Sequence, residues 1–203
     1  MVYMILNKKY LLQQAEMRNI SEYGMSKQRI VNENVELSMH YDSTQRRNVR
    51  EYDIFLSHSS LDKRLVLTLV RLFNEAGYSV YVDWIEDTQL DRSNVNKNTA
   101  QILRNRMKSS KGLSYVATSN ATNSKWCPWE LGYFDGWKDS RCCILPIMET
   151  TVFKGQEYLG LYPYIEYEKI NGKDKYDFWI YNQGTDDYII LRSWLEGKNP
   201  YKH

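Results

Sequence analysis

Tyr52-Asp53-Ile54-Phe55-Leu56-Ser57-His58-Ser59-Ser60-Leu61-Asp62-Lys63-Arg64-Leu65-Val66-Leu67-Thr68-Leu69-Val70-Arg71-Leu72-Phe73-Asn74-Glu75-Ala76-Gly77-Tyr78-Ser79-Val80-Tyr81-Val82 is the stretch from which the fold follows. Its first six residues read as a short buried strand that ends in the polar loop His58-Ser59-Ser60. Residues 61–76 then show helical periodicity. Ser59 with Asp62 resembles a capping box, although Asp stands where Glu or Gln is usual. Gly77 is a natural helix C-cap, and residues 78–82 form a second apolar strand that runs into Asp83-Trp84. A strand, a helix and a strand of these lengths make a β-α-β unit. Its two strands are expected to be parallel, joined by a right-handed crossover.

The same alternation continues towards the C-terminus. Residues 85–96 are a polar loop rich in Asp, Asn and Ser, and residues 99–108 read as a helix. Residues 112–118 form a third strand and residues 141–147 a fourth. Between these two lies Ser124-Lys125-Trp126-Cys127-Pro128-Trp129-Glu130-Leu131-Gly132, with two indoles and one carboxylate. The preceding Asn120-Ala121-Thr122-Asn123 is suited to capping a helix. Pro128 is poorly tolerated in a helix interior, which puts the helix start near Cys127 or Pro128. Alternating strands and helices predict an α/β fold with an open parallel sheet covered on both faces.

The two ends depart from this rule. The tail offers strand candidates at residues 164–167 and 176–181 around the Asn171-Gly172 turn signal, then a last helix over residues 188–195 ended by Gly197. Residues 1–50 are rich in Asn, Gln, Arg and Ser and read as an N-terminal extension, helical or partly disordered. The main domain spans residues 51–203.

Composition narrows the function. In 203 residues there are 27 Lys plus Arg and 25 Asp plus Glu, so the net charge is +2. A dedicated nucleic-acid binder shows a larger basic excess. No stretch approaches the ~20 apolar residues that a membrane span needs. Three cysteines, two of them adjacent, suit a reducing compartment better than a disulfide framework. They lack the spaced His and Cys partners of a zinc site, so no metal is expected. The chain is read as cytoplasmic.

Ligands of open parallel sheets bind beyond the carboxyl ends of the strands. Ser57 and His58, Asp83 and Trp84, and residues 118–130 all fall on that edge. Neither GxGxxG nor GxxxxGK[ST] is present, which argues against a redox dinucleotide fold and a nucleotide triphosphatase.

Residues 52–63, with Phe55-Leu56-Ser57-His58-Ser59 at their centre, resemble the first box of bacterial Toll/interleukin-1 receptor (TIR) domains. The stretch Trp126-Cys127-Pro128-Trp129-Glu130 resembles the WxxxE-containing helix of that family. The resemblance covers about residues 51–197 and implies a flavodoxin-like domain, here with an N-terminal helical extension and a small C-terminal strand or hairpin and helix addition. For enzymatic members it implies cleavage of NAD between nicotinamide and ribose, with Glu130 catalytic and NAD as substrate rather than cofactor. Stand-alone bacterial members resemble the sensors of Thoeris-type antiphage defence. They make an ADP-ribose-derived, often cyclic, signal for a product-sensing effector protein after a phage-derived trigger. The resemblance also implies a homo-oligomer in which the loop of residues 85–96 is mobile. Ser57, His58, Asp83, Trp84 and Trp126 are the substrate-binding candidates. His58 is open to a general-base or a contact role, and Trp126 to core or pocket wall. A non-enzymatic adaptor that acts by self-association is the competing reading.

Overall fold

The computed structural model describes residues 6–18, 20, 29–33, 36, 39–42, 47–87, 90, 95–137, 141–147 and 157–203. The chain enters through helix α1 (Lys8–Met17), capped by Asn7, whose side chain accepts the Tyr10 N–H. Strands β1 (Met39–Asp42) and β2 (Arg47–Arg50) pair as an antiparallel hairpin, with Met39 opposite Arg50. The polar composition of this region gave no sign of that hairpin.

The β-α-β unit forms as expected, from β3 (Tyr52–Ser57) through α2 (Lys63–Glu75) to β4 (Val80–Tyr81), and its strands are parallel. Asp83 opens a one-turn helix α3 (Asp83–Glu86), where a polar loop was expected from residue 85. Helix α4 (Lys97–Lys108) is capped by Asn96 and leads into β5 (Ser110–Ala117). Helix α5 (Cys127–Trp137) and strand β6 (Cys142–Pro146) follow. The chain finishes with β7 (Tyr164–Lys169), β8 (Tyr176–Tyr181), β9 (Tyr188–Ile190) and the short α6 (Leu191–Leu195). Where a single helix was expected over residues 188–195, its first three residues are strand. Tyr188, Ile189 and Ile190 are aromatic or β-branched, and they pair with β8, a tertiary partner that outweighs local helix preference.

Among the described residues the main sheet has seven strands in the order β4-β3-β5-β6-β7-β8-β9. The first five are parallel, while β8 runs antiparallel to β7 and β9 antiparallel to β8. The C-terminal strands therefore extend the main sheet, and the fold is an α/β open sheet with a mixed edge.

Each face of the sheet carries its own core. On one face Ile54, Leu56, Val80, Val116, Leu145 and Ile180 meet α1 and α2. On the other Phe55, Tyr81, Leu113, Tyr115 and Ile144 meet α4 and α5. Helix α2 reads Leu65-Val66-Leu67-Thr68-Leu69-Val70, apolar almost all round, and all six of these residues are buried. A helix of that kind needs cover on two sides. The sheet supplies one side and α1 the other, with Leu11 and Ala15 buried in the same cluster. Arg18 pairs with Glu75 at 3.1 Å across the two helices. Each apolar side chain so buried contributes about 1.5–3 kcal/mol.

Candidate active site

The parallel strands point their carboxyl ends to one edge, and the candidate residues gather there. Ser57 is the last residue of β3 and sits opposite Tyr115 of β5. Glu130 lies in the first turn of α5, the helix that follows β5. The loop between them is shaped by Ser124, whose hydroxyl accepts the N–H groups of Trp126 and Cys127, both at 3.3 Å. This hydroxyl caps the helix, whereas the expected cap, residues 120–123, contains a 3-10 turn (Ala121–Asn123) at whose start the Asn120 side chain makes no capping bond. The helix begins at Cys127, so the missing N–H of Pro128 removes no helical bond. The Glu130 N–H closes the first turn onto the Trp126 carbonyl at 2.8 Å.

This start places Glu130 inward. Its relative exposure is 0%, as is that of Ser57. The Ser57 hydroxyl donates to Glu130 Oε2 at 2.7 Å. A buried carboxylate is costly without hydrogen-bond donors, and a bond of this length to an ionised oxygen is among the stronger kinds. Tyr115 and Cys127 lie in the same buried cluster. Burial above all, then the nearby Cys127 and other acidic groups including Glu130, pushes the Tyr115 phenol above its ordinary value, so it stays protonated.

The second group of candidates surrounds His58. Its Nδ1 bonds the Leu56 carbonyl at 2.8 Å, and its Nε2 accepts the Trp84 indole N–H at 2.9 Å. These two bonds fit one neutral tautomer, with the proton on Nδ1. Asp83 Oδ1 lies 3.5 Å from Nε2. With Nε2 accepting the indole N–H, His58 holds the Trp84 ring in this arrangement. Lys63 Nζ stands over the Trp84 ring, 5.9 Å from its centre.

Trp126 is buried, and its ring meets the edge of Trp129 at 5.4 Å. Trp129 in turn stacks on Tyr133, and Arg104 lies over both rings. Trp129 and Tyr133 of α5 thus pack against Arg104 of α4. All three cysteines are buried free thiols. Burial pushes the Cys143 thiol up to about 12.

The loop that follows α3 is fastened at both ends. Arg106 grips Asp87 with two bonds of 2.7 and 2.9 Å, and the Tyr81 hydroxyl adds a third at 2.8 Å. Burial opposes ionisation of Asp87, but these donors outweigh it and hold the carboxyl below its ordinary value. At the far end Asn96 accepts the Thr99 N–H at 2.9 Å. Residues 88–89 and 91–94, on which the expected mobility falls, lie outside the described residues.

One feature of the edge escaped the sequence reading. Asp62, read as half of a capping box, is buried and does not cap. The N-cap bond is made by Ser59, whose hydroxyl accepts the Leu61 N–H. Asp62 instead accepts the Thr118 hydroxyl and the Asn120 amide, both at 2.7 Å. Nothing in local spacing signals a contact over 56 and 58 residues.

The edge therefore presents a carboxylate fixed by a hydroxyl, with an indole fixed by an imidazole on the residue next to that hydroxyl. Such a carboxylate can bind sugar hydroxyls and stabilise a developing positive charge. A family profile described as "TIR domain" matches residues 54–178, more than half of the chain. The chain belongs to the TIR domain family. It is 50% identical over 148 residues to a protein of Bacillus cereus (strain MSX-D12) named "Probable 3' cyclic ADP-D-ribose synthase ThsB'", covering 71% of this TIR protein and 76% of that one. It is 33% identical over 100 residues to a Cytobacillus dafuensis protein named as a cyclic ADP-D-ribose synthase, TIR2. That match covers 49% of this chain but only 26% of the relative. Among solved structures it is similar to the TIR domain of the Toll-related receptor TRR-2 from Hydra magnipapillata. There the TM-score is 0.40 at 19% identity, over 53% of this chain and 78% of that one.

Among the described residues no helix is long and apolar enough to cross a membrane.

Proposed function

We propose that this TIR protein cleaves NAD at the nicotinamide–ribose bond and releases a cyclic ADP-ribose signal. The observation that carries the reading is the buried Glu130 carboxylate, held by Ser57 at the carboxyl edge of the sheet. The names of the bacterial relatives support it.

The chemistry needs one carboxylate. The nicotinamide of NAD is cationic and leaves as neutral nicotinamide, taking the electron pair of the glycosidic bond, so no acid has to protonate it. The ribose is left with oxocarbenium character, as in glycoside cleavage. Glu130 holds the ribose hydroxyls and stabilises that charge. Ser57 fixes one carboxylate oxygen, and Trp84, held by His58, provides a flat surface at the mouth for a planar ring. Attack by a nucleophile elsewhere on the same nucleotide, which gives up its proton to solvent, closes the ring of a cyclic product. Water in its place, also losing a proton to solvent, gives linear ADP-ribose.

Glu130 is fully enclosed here, so substrate entry displaces part of the wall. Assembly into a homo-oligomer is the proposed source of that displacement. A phage-derived trigger would drive assembly, and a product-sensing effector protein would read the signal in antiphage defence.

The test is incubation of the purified protein with NAD, alone and with crowding agent, followed by mass spectrometry of the nucleotides. Nicotinamide and a cyclic nucleotide are expected in equal amounts from wild type and neither from Glu130→Ala. Equal nicotinamide release by the Glu130→Ala variant would sink the mechanism. Wild type that self-associates without cleaving NAD would favour the adaptor reading.

A further inference from the structure

Two separate loops carry the proposed chemistry. The loop after β3 bears Ser57 and His58, and the loop after β5 leads into Trp126 and Glu130. The strands they leave are neighbours, about 4.8 Å apart. The ladder that joins these strands ends at Ser57 opposite Tyr115, and past it Asp62 ties the two loops together. It stands at the end of the first loop, buried, and both its oxygens reach the second loop. Oδ2 accepts the Thr118 hydroxyl and Oδ1 the Asn120 side-chain amide, each at 2.7 Å. Thr118 is used twice, because its hydroxyl oxygen also accepts the Ala121 N–H at 3.1 Å. Within the first loop the Asp62 N–H returns to the Ser59 carbonyl at 3.1 Å. The tie thus joins the segment next to Ser57 to the segment that delivers α5.

We propose that Asp62 is a positioning residue of the NAD-cleaving site, and that its two bonds set the separation across which Ser57 reaches Glu130. The proposal rests on the function given above. The two side-chain bonds of Asp62 go to Thr118 and Asn120, and neither goes to Ser57 or Glu130. Asp62 acts by fixing the loops that carry them, and displacement of a reacting group by about 1 Å costs on the order of 100-fold in rate.

The chemistry of the tie supplies its own control. In Asp62→Asn one carboxylate oxygen becomes an amide N–H that faces the Asn120 donor, so one bond is lost. In the double variant Asp62→Asn/Asn120→Asp the roles are exchanged. The new amide at 62 donates to the new carboxylate at 120 and still accepts from Thr118. Thr118→Val removes the other bond, together with the acceptor of the Ala121 N–H, without changing volume much.

Two measurements decide the matter. The first is steady-state NAD cleavage. Asp62→Asn and Thr118→Val are each expected to lower kcat about tenfold or more, a loss of about 1.4 kcal/mol in transition-state stabilisation. KM should change less, and the double swap should recover most of the rate. A tie that matters only for folding would lower the melting midpoint and leave kcat per folded molecule unchanged, and that result overturns the proposal. So does a double swap that folds but recovers no activity.

The second is hydrogen exchange of the Asp62 and Ala121 amides, which needs no NAD. Faster exchange at both in Asp62→Asn, restored in the double swap, supports the tie even if wild type fails to cleave NAD. Unchanged exchange refutes it even if NAD cleavage is confirmed.

Discussion

Ser57→Ala is the perturbation that tests the site most directly. The hydroxyl of Ser57 donates to Glu130 Oε2 at 2.7 Å in a place closed to solvent. Removing it leaves room too small to admit water readily and deprives a buried carboxylate of a donor. A hydrogen bond to a charged group contributes about 1.5–3 kcal/mol. If that bond fixes the carboxylate in the reactive orientation, kcat should fall by about 10- to 100-fold. The melting midpoint should fall as well, because the same carboxylate is less well satisfied. Initial rates of nicotinamide release over a range of NAD at one enzyme concentration, with thermal unfolding in parallel, measure both. Ser57→Thr keeps the hydroxyl and suits the end of a strand, so it should retain most of the rate. Ser57→Ala on top of Glu130→Ala should cost nothing further. The reasoning fails if Ser57→Ala keeps kcat within about twofold of wild type, or if it speeds the reaction. The second outcome would mean that Ser57 holds Glu130 in a resting position that substrate has to break.

Two other perturbations probe the frame around the site. Glu166 is buried on β7, and burial together with its neighbour Glu168 pushes its carboxyl from the ordinary 4.5 up to about 8. The folded protein therefore binds more protons than the unfolded chain between these values, and stability falls as pH rises from about 4.5 to about 8. The slope is at most about 1.4 kcal/mol per pH unit. Glu166→Gln keeps the shape and removes the charge. Its melting curve should vary less across this window and lie above wild type at pH 8, and an unchanged pH profile would contradict the assignment. Gly112 lies on β5 against α6, where an added Cβ would stand 2.7 Å from Leu195 Cδ2 and 3.1 Å from Trp194 Cζ3. Gly112→Ala should cost about 1–3 kcal/mol in urea unfolding, as overpacking does, while NAD cleavage at low temperature is preserved. No loss of stability would show that α6 can slide away.

The β-α-β unit and the helix α5 were legible because their signals are local. A mostly apolar run such as Tyr52–Ser57 fits a buried strand, and Gly77 at φ +87° ends its helix as expected. Glu130 was legible through the Trp126-to-Glu130 pattern and through the rule that ligands gather beyond the carboxyl ends of parallel strands. The tail was read less well. Residues 188–190 have enough apolar character for helix or strand, and only the presence of β8 beside them decides. The capping box at Ser59 and Asp62 was half right. Ser59 caps, but Asp62 is drawn off by Thr118 and Asn120.

The sequence by itself determined the β-α-β unit, that the first strands run parallel, and that Glu130 falls at the carboxyl edge of the sheet. These follow from hydrophobic period, turn residues and the handedness of the crossover, all of which act over a few residues or one connection. Only the tertiary structure decided what each polar side chain on that edge does. Ser57 and Glu130 are 73 residues apart, His58 and Trp84 are 26, and Asp62 and Asn120 are 58. A donor and an acceptor at such separations meet only once the strands have set the loops side by side. In a buried place each such meeting matters, because a polar group left without a partner costs more than the bond itself contributes.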